Sequence, residues 1–163
     1  MCIYLDIETS GLFFESGSAE IIKISALKET SGEVTAVFDT FVCPENKLKR
    51  EIVKLTGITN KDLKGAPKIQ YALKELKEFI GDEAITVYNQ KFVFGFLNRF
   101  GSGFGINFTN PTTDLYDILK EKFPSEPKMW RLNYLRGKFN LPEDINGAEE
   151  LRRIAQRLQT PTI

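Results

Sequence analysis

Asp6 and Glu8 are the residues of this chain with the plainest capacity for chemistry. They interrupt an apolar run, Cys2-Ile3-Tyr4-Leu5 and Ile7, that is rich in strand formers and too short for a globular helix. In a strand, residues i and i+2 project from one face, so the two carboxylates stand side by side, roughly 7 Å apart at their Cα atoms. Neighbouring anions at the end of a buried strand repel each other and are costly to desolvate, and a cation between them relieves both costs. Hard oxygen ligands suit Mg²⁺ or Mn²⁺, so Asp6 and Glu8 are the candidate metal ligands. Thr9-Ser10-Gly11 then turns the chain out of the strand and leaves the pair where a substrate can reach it. The plain alternative is two solvated carboxylates beside a turn.

Composition narrows the chemistry further. The 163 residues are expected to form a single domain, 1–163, long enough to bury a core without disulfides or metal staples. With 22 basic and 22 acidic residues there is no global attraction for nucleic acid, and any such binding must use a local patch. Histidine is absent, which removes the commonest general base and the usual zinc ligand, and leaves carboxylates, metal, Lys or Tyr to do any catalysis. Cys2 and Cys43 lie inside apolar strand patterns, and no N-terminal stretch is apolar enough for a signal or membrane segment. A cytoplasmic protein with no membrane partner is the reading that follows.

The elements that must position the pair can be taken in order. Glu20–Lys28 and Val34–Val42 are strand-like runs around a Ser31-Gly32 turn, and with the first strand they make a three-stranded antiparallel start. Leu48, Ile52, Val53 and Leu55 have helical spacing over Lys47–Leu55, closed by Thr56-Gly57. Residues 68–80 read as an amphipathic helix with Ile69, Leu73, Leu76 and Ile80 inward. Ala84–Val87 is a short buried strand, Lys91–Phe100 a helix, and 101–111 a loop. Helices over Thr113–Phe123, Arg131–Phe139 and Ala148–Leu158 close the chain, giving an α/β class with a mixed sheet covered by helices.

Several stretches carry a family resemblance. YLDIETSGL (4–12), EIIKISALK (20–28), FVCP (41–44), LTGIT (55–59), FIGD (79–82), VYNQKF (87–92) and Asp114 occur in one order over nearly the whole chain. In these the chain resembles the proofreading 3′-to-5′ exonucleases of the DEDD superfamily, histidine subtype, especially the exonuclease domain of PolC and the epsilon subunit of bacterial DNA polymerase III. The resemblance implies a ribonuclease H-like fold with a mixed five-stranded sheet flanked by helices, and two-metal hydrolysis of a phosphodiester. It implies that Asp6 bridges the metals and Glu8 binds one. It also implies that Thr9 and Leu12 cradle the terminal nucleotide and that Asn89 and Phe92 form the neighbouring wall. For Leu12 and Phe92, core packing is an equal alternative.

The rest of the family's catalytic set is not matched. Its second motif runs Asn, two residues, Phe, Asp, and here it runs Asn89, Gln90, Lys91, Phe92, Val93. Its third places histidine five residues before the last aspartate, and the best match puts Asn146 at the histidine and Leu151 at the aspartate. Val93 and Leu151 offer no metal oxygen, and Asn146 is no base near neutral pH. Asp144, Glu149 and Glu150 lie close enough to be considered as substitutes, although one helical residue is a rotation of about 100°, which points Glu150 away from where Leu151 faces.

Two functions follow. One is a weakened 3′-to-5′ exonuclease, and the other a pseudo-exonuclease kept as a single-strand end-binding or replication-scaffold module. The implied partners are a DNA or RNA 3′ end and a DNA polymerase or replication protein, with Mg²⁺ or Mn²⁺ reduced to one weakly held ion. Basic concentrations at 47–68 and 91–131 could track a phosphate backbone, or be ordinary solvated helix faces. Phe13-Phe14 follows the turn, where an exposed ring could stack on a base. Trp130 reads as a helix-entry anchor.

Overall fold

The computed structural model describes residues 1–12 and 19–159, so Phe13-Phe14 lies outside the described residues. Strand β1 (Cys2–Thr9) is followed by β2 (Ile21–Thr30) and β3 (Glu33–Phe41), then by β4 (Ile85–Val87) and β5 (Thr112–Asp114). Among the described residues these make one mixed sheet of order β3-β2-β1-β4-β5, with β1 in the middle. The meander β1-β2-β3 is antiparallel, and β4 and β5 run parallel to β1. Ser31 and Gly32 both take positive φ, 54° and 86°, which matches the twist of a two-residue hairpin and explains the tight turn between β2 and β3.

Among the described residues the helices are α1 (Arg50–Thr56), α2 (Ile69–Ile80), α3 (Gln90–Ser102), α4 (Leu115–Lys122), α5 (Leu132–Lys138) and α6 (Gly147–Gln159), with one 3₁₀ turn at Pro127–Trp130. The alternation of β1 divides the interior in two. Ile3, Leu5 and Ile7 face a core with Leu73 and Leu76 of α2 and Phe96 of α3. Tyr4 faces the other way, into a core with Leu115, Leu135, Leu151 and Ile154. By the same period-two rule, Asp6 and Glu8 stand on the Tyr4 side, which α6 covers.

Three expectations from the sequence need correction. Thr112–Asp114 is a strand where a loop and then a helix were expected, because three residues are too few for alternation to register. Helix α3 runs on to Ser102, and α1 begins at Arg50 instead of Lys47. Leu55, one of the apolar residues at helical spacing, is 76% exposed, and α1 buries no residue fully.

Candidate active site

The ladder between β1 and β2 pairs Asp6 with Ser25 and Glu8 with Lys23, and a bulge between Glu8 and Thr9 precedes its last pair, Thr9 with Ile21. Such a bulge bends the strand and lets the chain leave the sheet beside the two carboxylates. Ser25 Oγ accepts the N–H of Ala148, and Asn146 Oδ1 accepts it as well, so the first turn of α6 is tied down across β1 and β2. Gly147 then lies directly against Asp6. A Cβ at that position would overlap Asp6 Oδ2 and stand 2.8 Å from its Cγ, so only glycine allows the helix to start this close to the strand.

This seating fixes the rotation of α6. Glu150, one turn on, is 3% exposed and lines a cleft of about 340 Å³ together with Asp6, Glu8, Thr9, Leu12, Asn89, Phe92 and Val93. The structure therefore brings together every site residue named above from the first two motifs. Thr9 is buried and donates its hydroxyl to the carbonyl of Gly11. Leu12 stands 69% exposed on the rim, and Phe92 is half-buried with its ring centroid 5.0 Å from that of Phe96. Asn89 caps α3, its side chain accepting from the Phe92 N–H, while Asp114 receives the N–H groups of Asn89 and Gln90. Tyr88 lines the cleft too, and its hydroxyl donates to the carbonyl of Trp130, whose indole N–H in turn donates to Phe123.

The third motif is placed differently from its expected register. Leu151 is 1% exposed in the core beneath α6 and does not reach the cleft. Asn146 does not line it either: its amide caps α6 and donates to Asp39 Oδ1 at 2.8 Å, on the wall of an adjoining cleft of about 600 Å³. Of the three substitutes, Glu149 is held by Arg152 and Arg153, and Asp144 is exposed on the adjoining wall. Glu150 is the one that faces Asp6 and Glu8. Counting five residues back from it gives Ile145, which lines the same cleft, so the spacing of the motif is met one residue earlier with Ile145 and Glu150. One helical residue does separate the two faces, and it is Leu151 that turns into the core while Glu150 faces the cleft.

Arg136 is the charged residue of the cleft that no motif pointed to. From α5 it donates Nε to Glu150 Oε1 at 3.0 Å and a terminal nitrogen to Oε2 at 2.6 Å, a bidentate charge-assisted pair. Its only sequence signal is a basic residue beside the core position Leu135. The electrostatics follow. Burial pushes the Asp6 carboxyl up to about 8, and the Glu8 and Glu150 charges add to the rise against the Ile7 N–H and Lys23. Glu8 is raised by burial as well, with Lys23 and Arg136 opposing it. Bonding to Glu150 raises Arg136.

For a divalent cation, Asp6 and Glu8 supply hard oxygens, and the raised carboxyl of Asp6 marks a charge that a cation would relieve. Val93 and Ile145 supply none, and both oxygens of Glu150 are engaged by Arg136. Among the described residues no three His, Cys, Asp or Glu side chains are grouped to hold an ion. Two free carboxylates could serve at most one ion, and the donors of a two-ion centre are absent among the described residues.

A five-stranded mixed sheet with a paired carboxylate at the end of its central strand and helices on both faces is the ribonuclease H-like arrangement of nucleases. The family model described as Exonuclease, RNase_T, matches residues 3–146, and the chain belongs to that family. It is 35% identical over 140 residues to the PolC-type DNA polymerase III of Halalkalibacterium halodurans and 33% identical over 141 to that of Bacillus subtilis, in each case over 85% of this chain. The chain spans about 10% of the length of these curated relatives. Among solved structures, product-bound exonuclease I superposes with a TM-score of 0.80 at 14% identity, over 95% of this chain and 42% of that one. The nuclease domain of 3′hExo bound to rAMP, a DEDDh family member, gives 0.77 at 18%, over 96% and 90%. Exonuclease X in complex with 5′ overhanging duplex DNA gives 0.70 at 14%, over 97% and 89%. These likenesses establish the fold. No helix among the described residues is long and apolar enough to cross a membrane.

Proposed function

We propose that this domain binds the 3′ end of a single-stranded nucleic acid in the cleft at Asp6 and Glu8, and that its 3′-to-5′ exonuclease activity is weakened by orders of magnitude. The observation that carries the reading is the mixed state of the cleft. Its nucleotide-facing side retains Thr9, Leu12 and Phe92 beside two carboxylates, whereas Val93, Ile145 and the Arg136-bound Glu150 stand where hydrolysis needs oxygen ligands and a base. Loss of a positioned general base alone removes about 10²- to 10⁴-fold. Leu12 and Phe92 offer apolar surface to a base, and stacking of this kind tolerates any sequence. Similarity to PolC-type polymerases supports a replication polymerase as the class of protein partner. One ion of Mg²⁺ or Mn²⁺ at Asp6 and Glu8 is the cofactor we infer.

The test pairs binding with digestion. A fluorescent single strand is expected to bind with and without divalent ions, and to bind more weakly after Phe92→Ala or Leu12→Ala. Digestion of the same strand in millimolar Mn²⁺ is expected to be orders of magnitude slower than by an intact family member. Rapid digestion from the 3′ end that disappears with Asp6→Ala would instead make the domain an active exonuclease, and absence of binding would leave it a scaffold.

A further inference from the structure

Arg136 and Glu150 are the pair that neither nucleotide binding nor hydrolysis explains. Glu150 is buried in the first turn of α6, and its two oxygens receive two parallel N–H bonds from the guanidinium, at 3.0 and 2.6 Å. Arg136 is itself partly exposed, with 37% of its side chain open, and it borders both clefts alongside Asp6 and Glu8. A guanidinium keeps its charge at every pH at which a protein folds, and its planar fork matches a carboxylate bidentately. A fixed positive charge therefore sits among three carboxylates, on the one of them that faces the other two.

We propose that Arg136 is the resident cation of this cleft: by holding Glu150 it takes the place of a second divalent ion and restricts the cleft to one ion, carried by Asp6 and Glu8. An incoming ion that used Glu150 would have to strip a buried carboxylate of its two guanidinium bonds and would leave the guanidinium unpaired beside a dication. Both are unfavourable. With Arg136 removed, Glu150 becomes an unpaired anion beside the ion held by Asp6 and Glu8, and a carboxylate supporting the ligands in this way changes metal affinity by about 10- to 100-fold. The choice of a divalent ion rests on the proposed exonuclease-like function, whereas the competition itself does not require nucleic acid.

The experiment is a Mn²⁺ titration of the full chain, read by the loss of the free-ion electron paramagnetic resonance signal. Arg136→Gln is expected to bind Mn²⁺ at least about tenfold more tightly than wild type, and Arg136→Gln with Glu150→Gln to lose that gain. If Arg136 merely ties α5 to α6, Arg136→Gln lowers stability without tightening Mn²⁺, and that result overturns the proposal. Should Arg136→Gln fail to fold, wild-type crystals soaked in Mn²⁺ decide the matter by anomalous scattering. One peak at Asp6 and Glu8 with the Arg136–Glu150 pair intact supports it, and a peak on Glu150 with Arg136 displaced, or two peaks, overturns it. Failure of the wild type to bind any nucleic-acid end would remove the proposed function and leave the Mn²⁺ comparison standing.

Discussion

Asp6→Asn isolates the electrostatic strain at the cleft. In the folded protein the Asp6 carboxyl titrates near 8, against 3.8 for an unconstrained aspartate, because it is buried and faces Glu8 and Glu150, with only the Ile7 N–H and Lys23 in its favour. The folded state thus holds this proton more tightly than the unfolded state. The linkage sign follows: the stability that Asp6 contributes is fully present below about pH 4 and is lost as pH rises towards 8, with a slope approaching about 1.4 kcal/mol per pH unit inside that window. Asparagine has the shape of the protonated acid and cannot ionise. Urea denaturation in EDTA should therefore find the variant and wild type close to equal at pH 4. The variant should become progressively more stable than wild type up to pH 8, by an amount on the order of a few kcal/mol. Saturating Mn²⁺ should stabilise wild type more at pH 8 than at pH 5, and should do little for Asp6→Asn. A variant that is less stable than wild type at pH 8, or a difference between the two that does not change with pH, would refute the reasoning.

Other substitutions test the placement of α6. Leu151→Asp puts a carboxylate into a position that is 1% exposed and should cost about 3–5 kcal/mol in chemical denaturation, the range for an uncompensated buried charge, with no gain in digestion. Gly147→Ala forces a methyl group onto Asp6 and should cost about 1–3 kcal/mol as the helix start shifts. Val93→Asp, Ile145→His and Arg136→Gln made together should raise digestion of a 3′-labelled single strand in Mn²⁺. Any one alone should do little, because groups that act as a unit are strongly non-additive.

The opening strand was legible because a period of two puts Asp6 and Glu8 on one face whatever surrounds them, and the stretches shared with the exonucleases fall on β1, β2, the exits of β3, α1 and α2, the β4-α3 turn and the end of β5. The register of α6 was harder. Asn146-Gly147-Ala148 resembles the start of a motif, yet what turns the helix is Gly147 resting on Asp6, a contact between residues far apart in the chain. The apolar spacing of Ala148, Leu151, Ile154, Ala155 and Leu158 places Leu151 on the core side of the helix, and the first four are buried while Leu158 is half-buried. Taken at its word, that spacing excluded Leu151 from the cleft. Arg136 was invisible because its partner lies on another helix, and β5 because three residues carry no period. Leu55 shows the opposite failure, an apolar residue at a helical interval that nonetheless faces solvent at the cleft mouth.

The hydrogen bond from Tyr88 to the carbonyl of Trp130 has an optical consequence. Trp130 is the only tryptophan in the chain, and it packs against the core beneath α6 while Tyr88 lines the cleft. The protein thus carries its own fluorophore one hydrogen bond away from the cleft proposed to take a nucleotide end. A ligand that touches the Tyr88 ring moves the carbonyl that the phenol holds, and with it the polarity around the indole. Intrinsic emission excited at the tryptophan band then becomes a label-free signal of occupancy, sensitive to a nucleotide seated at Leu12 and Phe92 and indifferent to one lodged on the basic surface of α1.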